Sequence, residues 1–486
     1  MPLLTLKPIA ILYLVVIVFI SPIKQLKAQT NPDQKLTLDS AITIALKNAT
    51  SVRTASNQLE LSGADVLKSY GQFLPSLSVS AGYTLYSKSN NLEQVPFTQT
   101  LSSGDTLSGI STTLYATESR RANYVISSTL NLFNGLADYA TLKQSLNNQS
   151  ASEYSLQRAK EQIAFDVAQA YLQILLNQEL LKIAQENAIA SRDQLQRIQE
   201  QVNIGSKSLS DLYQQESVLS ADEYDLINAE NNLRNSKIAL LQRLKINPSE
   251  SYDFEIPELD TSRINEGMLE KDALLQMAFE NRADIKSAEY SFMASDWGTN
   301  IAFSNYLPTL DLKFSFSSSG VLVDKQTLDG VEIQPPVLPS LSRQLEDQTN
   351  TSVSLNLSWN IFDGFLTNLN YQQAKVNYLN QKLSYEDTKL QVIAEVAQSL
   401  GDYKAAEKQL ESTKKGLRSA NRAYETVQEQ YNVGASTFVE LSGAKANLVT
   451  AKSQHAQAIY NFTFQKKLLD FFVGTLDVND YLNDKF

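Results

Sequence analysis

A single histidine and no cysteine leave this chain almost nothing with which to build an enzyme site. Nucleophile–base pairs and clustered metal ligands need imidazoles or thiolates. His455 stands among Gln454, Ala456 and Gln457 in a heptad-patterned stretch and reads as a packed or solvated helix histidine. No glycine-rich phosphate loop follows a strand pattern. The composition therefore argues against catalysis and against a cofactor or metal, and energy for any work must come from a partner. The acids that stand out are Asp211 and Glu440, each placed just after one of two near-identical turn motifs, Asn203-Ile204-Gly205 and Asn432-Val433-Gly434. A carboxylate in the first turn of a helix stabilises the helix N-terminus.

Those turns belong to a duplication. Gln199 to Gly205 and Gln428 to Gly434 align at a shift of 229, which also carries Phe133-Asn134-Gly135 onto Phe362-Asp363-Gly364. Leu74-Pro75-Ser76-Leu77 recurs as Leu307-Pro308-Thr309-Leu310 at a shift of 233. The slip falls between these landmarks, where a surface loop absorbs it. Two copies of one supersecondary unit are expected, over 29–245 and 270–474, joined by an inter-repeat segment 246–269 and followed by a tail 475–486.

Each copy holds two segments with a period of two. Leu77, Val79, Ala81, Tyr83 and Leu85 alternate with Ser76, Ser78, Ser80, Gly82 and Thr84, and a partner runs over 121–133. In the second copy Leu310, Leu312, Phe314 and Phe316 alternate with Asp311, Lys313, Ser315 and Ser317, and Val353, Leu355, Leu357, Trp359 and Ile361 do the same in the partner. Strands are predicted near 74–86, 121–133, 307–317 and 349–362. Alternation over about ten residues suits a membrane barrel strand, apolar toward lipid and polar toward a wet lumen. An open strand edge is not tolerated in hydrocarbon, and single-chain barrels start at about eight strands, so four strands demand oligomerisation. Two copies make eight strands and three make twelve. The small uncharged lumen residues suit the larger, open version. The segments 87–120 and 318–348, the second with Pro335, Pro336 and Pro339, are expected as long polar outward loops.

After each Phe-x-Gly the period becomes heptad. Val167, Ile174, Leu181, Ala188, Leu195 and Val202 form one seam, and Ile163, Ala170, Asn177, Ala184, Ser191 and Ile198 a second. Adding 229 reproduces both, through Val396, Tyr403 and Tyr424 to Tyr431 and through Val392, Ser399 and Ala420 to Val427. Helices over 137–201 and 366–430 are each roughly 100 Å long at about 1.5 Å per residue. Shorter helices near 51–73 and 210–244 are expected to stack end to end beside the first, and 281–303 and 439–473 beside the second. The long and short helices close into hairpins at tips 203–206 and 432–435, where Asn and Gly fit the left-handed turn. At the other end Pro75 and Pro308 stop helices that enter strands, and Gly135 and Gly364 free the backbone that leaves them.

Residues 1–28 read as a signal peptide: Lys7, an apolar run from Ile9 to Ile20, and Leu26-Lys27-Ala28 before the cut. Removing them takes away three lysines and no acid, so the exported chain is more acidic than the −11 of the full sequence. That acidity, with no basic stripe, argues against nucleic acid as a partner.

The Leu-Pro strand starts, the Phe-Asn/Asp-Gly exits, the Asn-Ile/Val-Gly tips before Asp211-Leu212 and Glu440-Leu441, and the duplication itself resemble the TolC-type outer-membrane efflux proteins over nearly all of 36–476. The resemblance implies an α+β membrane protein: a homotrimer whose twelve-stranded outer-membrane barrel continues as a coiled-coil α-helical barrel across the periplasm. It implies a passive duct for export in a tripartite efflux or type I secretion system. A periplasmic adaptor docks at the tips (Asn203, Ile204, Gly205, Asn432, Val433, Gly434) and an inner-membrane transporter lies beyond it. It places Glu440 in an acidic entrance ring, and Asp211 and Tyr431 in the bonds that hold the entrance shut. This sequence departs from the family at Gly443, where a second ring acid is expected, and at Ser436, where a latch arginine is expected. The rival reading is a soluble periplasmic adaptor with one long helical hairpin; the duplicated hairpin and the lipid-type strands speak against it.

Overall fold

The computed structural model describes residues 35–248, 252–255 and 270–476. The predicted signal peptide lies outside them, as do most of the inter-repeat segment and of the tail. The duplication is visible element by element. In the first repeat, β1 (Lys35–Leu36) leads into α1 (Leu38–Asn48) and α2 (Thr50–Gly71), broken at Ala49 with φ −60° and ψ 128°. In the second, β4 (Asp253–Phe254) precedes α5 (Lys271–Asn281) and α6 (Ala283–Ser304), broken at Arg282 with φ −64° and ψ 125°. Strands β2 (Ser76–Thr100) and β3 (Thr106–Phe133) follow the first pair of helices. The second pair is followed by β5 (Thr309–Leu328), β6 (Val331–Ile333), α7 (Leu341–Asp347) and β7 (Thr349–Ser358). Each repeat ends in a hairpin of a 67-residue helix and a shorter one: α3 (Ala137–Asn203) with α4 (Leu209–Leu244), and α8 (Leu366–Asn432) with α9 (Phe438–Phe472).

The sheet is antiparallel in the order β2-β3-β5-β7, with β6 on the outer end of the β5 edge that β7 occupies lower down. The expected long loops are absent. Pairing of β2 with β3 continues to Thr100 opposite Thr106, so the connection is a five-residue turn with Gly104 at φ +89°. Likewise β5 runs on to Leu328, and 318–348 holds β6 and α7. Polar side chains hid these extensions, because backbone pairing satisfies a strand whatever its exposed side chains are. A register shift between Thr84 and Ser87 also breaks the alternation there.

The junctions explain the proline and glycine landmarks. Pro75 and Pro308 lie between helices ending at Gly71 and Ser304 and strands starting at Ser76 and Thr309. Gly135 and Gly364 take φ +68° and +69°, and the next residues, Leu136 and Phe365, are left-handed too, at +67° and +70°. A Cβ on Gly135 would come within 2.8 Å of the Ser304 carbonyl oxygen, so the glycine also permits close approach of α6.

Along α3 the two shorter helices occupy successive stretches. Ser69 and Ser62 of α2 bond Ser145 and Ser152 at 2.8 Å, and α4 takes over where Arg243 donates to the Asp166 carbonyl. Small side chains allow this closeness. The seams are the buried stripes: Val167, Ile174, Ala188, Ser191 and Ile198 in α3, and Val392, Val396, Ser399, Tyr403, Ala406 and Tyr431 in α8. Near mid-length, buried Tyr171 reaches the carbonyl oxygens of Leu36 at 2.8 Å and Glu255 at 2.6 Å. It thereby pins the parallel β1–β4 pair to α3. Burial pushes its hydroxyl up to about 12.

A second knot joins the repeats. Arg282, 1% exposed, bonds Asp284 at 2.5 Å, Glu395 of α8 at 2.7 Å and the Phe472 carbonyl of α9 at 3.3 Å, while Arg158 of α3 approaches Asp284 at 3.5 Å. Burial pushes Asp284 up, but the Arg282 bonds and the charge of Arg158 outweigh it and hold the carboxyl below its ordinary range. Arg282→Met, which strands Glu395 and leaves Asp284 only the more distant Arg158, should cost about 3 kcal/mol, read as a lowered midpoint in thermal melts of the detergent-solubilised protein. Because the folded pKa of Asp284 is depressed, its contribution is complete above the unfolded value and is lost as pH falls through the folded one. Asp284→Asn should therefore flatten the loss of stability below about pH 4.

Candidate functional site at the helical tips

Both tips are built alike. At the first, α3 ends at Asn203, Ile204 caps it, and Gly205 turns the chain at φ +75°. At the second, α8 ends at Asn432, Val433 caps it, and Gly434 lies at φ +78°. These are left-handed positions that a side chain strains. Ile204 and Val433 are apolar yet 80% and 81% exposed, so each tip presents an uncovered aliphatic residue.

The two acids close capping boxes. Ser208 accepts from the Asp211 amide at 3.1 Å and donates its own amide to the Asp211 carboxylate at 3.4 Å. Thr437 and Glu440 repeat the exchange at 3.2 and 2.8 Å. Glu440 Oε2 also accepts the Ser436 hydroxyl at 2.6 Å. The residue standing where the resemblance expects an arginine thus holds the acid. Bonds from Ser436, then from the Thr437 amide and hydroxyl, keep the Glu440 carboxyl below its ordinary range, so it is charged while exposed. Structural capping accounts for the placement of both acids; it leaves the charge of Glu440 facing solvent.

Tyr431 is buried instead. It lies in an apolar knot that draws on all four long helices: Ile198, Leu212, Tyr431, Phe438 and Leu441. Its ring meets Phe438 edge-on at 6.4 Å, and the Lys207 ammonium sits 4.0 Å from its centroid. Its hydroxyl has no hydrogen-bond partner among the described residues. Asp211, Tyr431 and Glu440 are brought to one end of the molecule, with Leu212 and Leu441 beside Tyr431. Among the described residues no hydrogen bond links the three to one another.

A polar lock farther from the tip is not evident in the sequence. Lys445 of α9 reaches across to the first hairpin, with Nζ 2.5 Å from Ser191 Oγ, 3.4 Å from the Asn187 carbonyl oxygen and 3.5 Å from Asp222 Oδ2. Asn187 and Ser191 both donate to the Asp222 carboxylate, and Gln215 donates to the Ser191 carbonyl at 3.0 Å. Lys445 and Asp222 are only 19% and 14% exposed. Burial lowers the Lys445 pKa, against the pull of Asp222. One signal was available: Lys445 shares a helical stripe with buried Leu441 and Leu448, and a charge in an apolar seam needs a partner. His455 lies between α9 and α8, its Nδ1 3.3 Å from the Thr413 hydroxyl.

The pattern of the outer membrane efflux protein family matches residues 41–244 and 274–475. Outer membrane protein TolC of Escherichia coli is 23% identical over 336 residues, 68% of this chain and 65% of that protein's length. The TolC of Vibrio cholerae is 21% identical over 418 residues, 86% of each chain. In fold, the outer membrane protein VceC of Vibrio cholerae superposes with a TM-score of 0.71 over 90% of this chain and 96% of its own, at 15% identity.

Lys445→Met leaves the Asp222 carboxylate half-buried without its cation. Amide exchange over 209–222 and 438–448 should accelerate about tenfold, the effect of losing one charge-assisted buried bond. Lys452→Met, which removes an exposed 3.7 Å pair with Glu186, should leave the same amides unchanged. Equal exchange in the two variants would show that the lock contributes nothing to tip stability.

Proposed function

The chain belongs to the outer membrane efflux protein family and so resides in the outer membrane, and from that premise we propose that three copies close into a passive export duct. The carrying observation is the pair of free sheet edges. Among the described residues the far edge of β2 and the far edge of β7 pair with nothing, while Leu77, Val79, Leu355 and Leu357 lie exposed on the sheet. Lipid tolerates neither an edge nor a half-closed sheet. Three copies joined β2 to β7 make a twelve-stranded barrel, wide enough to hold water, and the hairpins continue its wall into the periplasm. A soluble adaptor has no use for such a sheet, and the family membership disfavours that reading.

In this reading the tips are the periplasmic entrance. The uncovered Ile204 and Val433 are the docking points for a periplasmic adaptor, which couples the duct to an inner-membrane transporter as the energy source. Glu440 contributes one charge per copy to an entrance ring. The Tyr431 knot and the Lys445 lock hold the two hairpins of a copy together, and opening is a rigid shift of one hairpin past the other.

Glu440→Gln tests the ring cleanly, because its amide oxygen still accepts from the Thr437 amide and preserves the cap. In planar bilayers the variant should lose cation preference and divalent block relative to the parent. Unchanged selectivity would remove Glu440 from the entrance and leave the fold intact. A monodisperse single chain in detergent would overturn the duct itself.

A further inference from the structure

Among the described residues, Arg121 is a strand cation that no neighbouring charge on its own stretch of the sheet face compensates. Its register partners are Thr84 on β2 and Val321 on β5. Strand alternation puts it on the face of Asn123, Ser127 and Thr129, which is also the face of Ser78, whose hydroxyl meets that of Ser127 at 2.7 Å. The apolar residues Leu77, Val79 and Tyr83 occupy the opposite face. The neighbouring Arg120 is on that opposite face and is bound in a fork to Asp324, with contacts of 2.5 and 3.0 Å. Arg121 itself is exposed and has no ion-pair partner among the described residues.

On the polar face below the β2 irregularity, the other charges are Asp311 and Lys313, successive same-face residues of β5 whose formal charges cancel. Arg121 therefore sets the sign of this face up to the irregularity; outward of it the same face carries Glu93, opposite Thr113. Its rung is also held rigidly. Val321 donates its amide to Gln344 Oε1 at 2.9 Å and accepts from Gln344 Nε2 at 2.8 Å, so the amide side chain of α7 replaces β7 just beyond the last β5–β7 rung at Ser318 and Thr349. Gln344 is itself buried.

We infer that Arg121 is a selectivity residue of the outlet: in the closed barrel, on which this inference rests, three copies form a cationic ring that favours anionic solutes at the exit. The duct then carries opposite charges at two levels, acidic at the Glu440 tips and basic at the Arg121 rung of the barrel. Rings of fixed like charge on a narrow wet wall are what set ion preference in pores.

The test is the reversal potential across planar bilayers under a potassium chloride gradient, for the parent, Arg121→Lys, Arg121→Gln and Arg121→Glu, with trimer content checked for each. Arg121→Lys should match the parent. Arg121→Gln should raise the potassium-to-chloride permeability ratio about twofold or more, and Arg121→Glu should raise it further. A pore-forming Arg121→Glu trimer with the parental ratio overturns the outlet ring alone. A parent that forms no pores overturns the duct, and the ring with it.

Discussion

An unpaired strand edge cannot sit in hydrocarbon, and that constraint organises everything else in this molecule. Every amide and carbonyl along the free edges of β2 and β7 needs a partner where no water is present. Among the described residues the main strands form a four-stranded arc, and the proposed duct closes it with copies of the same chain. The same logic operates on a small scale within the arc. Where β7 ends, the Gln344 amide bonds Val321 in place of a strand, and β6 takes over the last rungs of β5.

Curvature imposed by the sheet has to be continued by the helices. A wall of helices must be thin, closely spaced and uniform over roughly 100 Å, which explains the prevalence of alanine and serine at the contacts. Serine–serine bonds between α2, α3 and α6 replace bulky apolar packing at the end near the sheet. Mid-length, where the repeats meet, Arg282 and Tyr171 replace it with buried polar knots whose partners come from several elements. Such knots fix position better than they add net stability, because desolvation offsets much of the attraction.

The tips combine two demands on the same acids. A helix starting at Ser208 or Thr437 needs its amides capped, and a carboxylate three residues on completes the cap. For Glu440 the capping bonds also hold the carboxyl ionised while it remains in solvent. Cohesion of the tip is supplied elsewhere, by the Tyr431 knot and by Lys445 with Asp222, both of which connect the two hairpins. Shape and charge are thus carried by different residues at this end.

The repeat, the helical hairpins with their tips, the strand–helix junctions and the family resemblance were all legible in the sequence, because each rests on local periodicity or on a backbone conformation that only certain residues favour. The positions of Asp211 and Glu440 were legible for the same reason, as first-turn acids behind a left-handed turn. Tertiary structure alone decided the rest. The strands run far past the alternating core, since backbone pairing does not depend on side-chain pattern once a bulge has interrupted it. Lys445 meets Asp222, and Arg282 meets Glu395, across separations in sequence that no local pattern encodes. Tyr431 turned inward because four helices converge there and bury it. Only the fold fixes which distant side chains share a low-dielectric space.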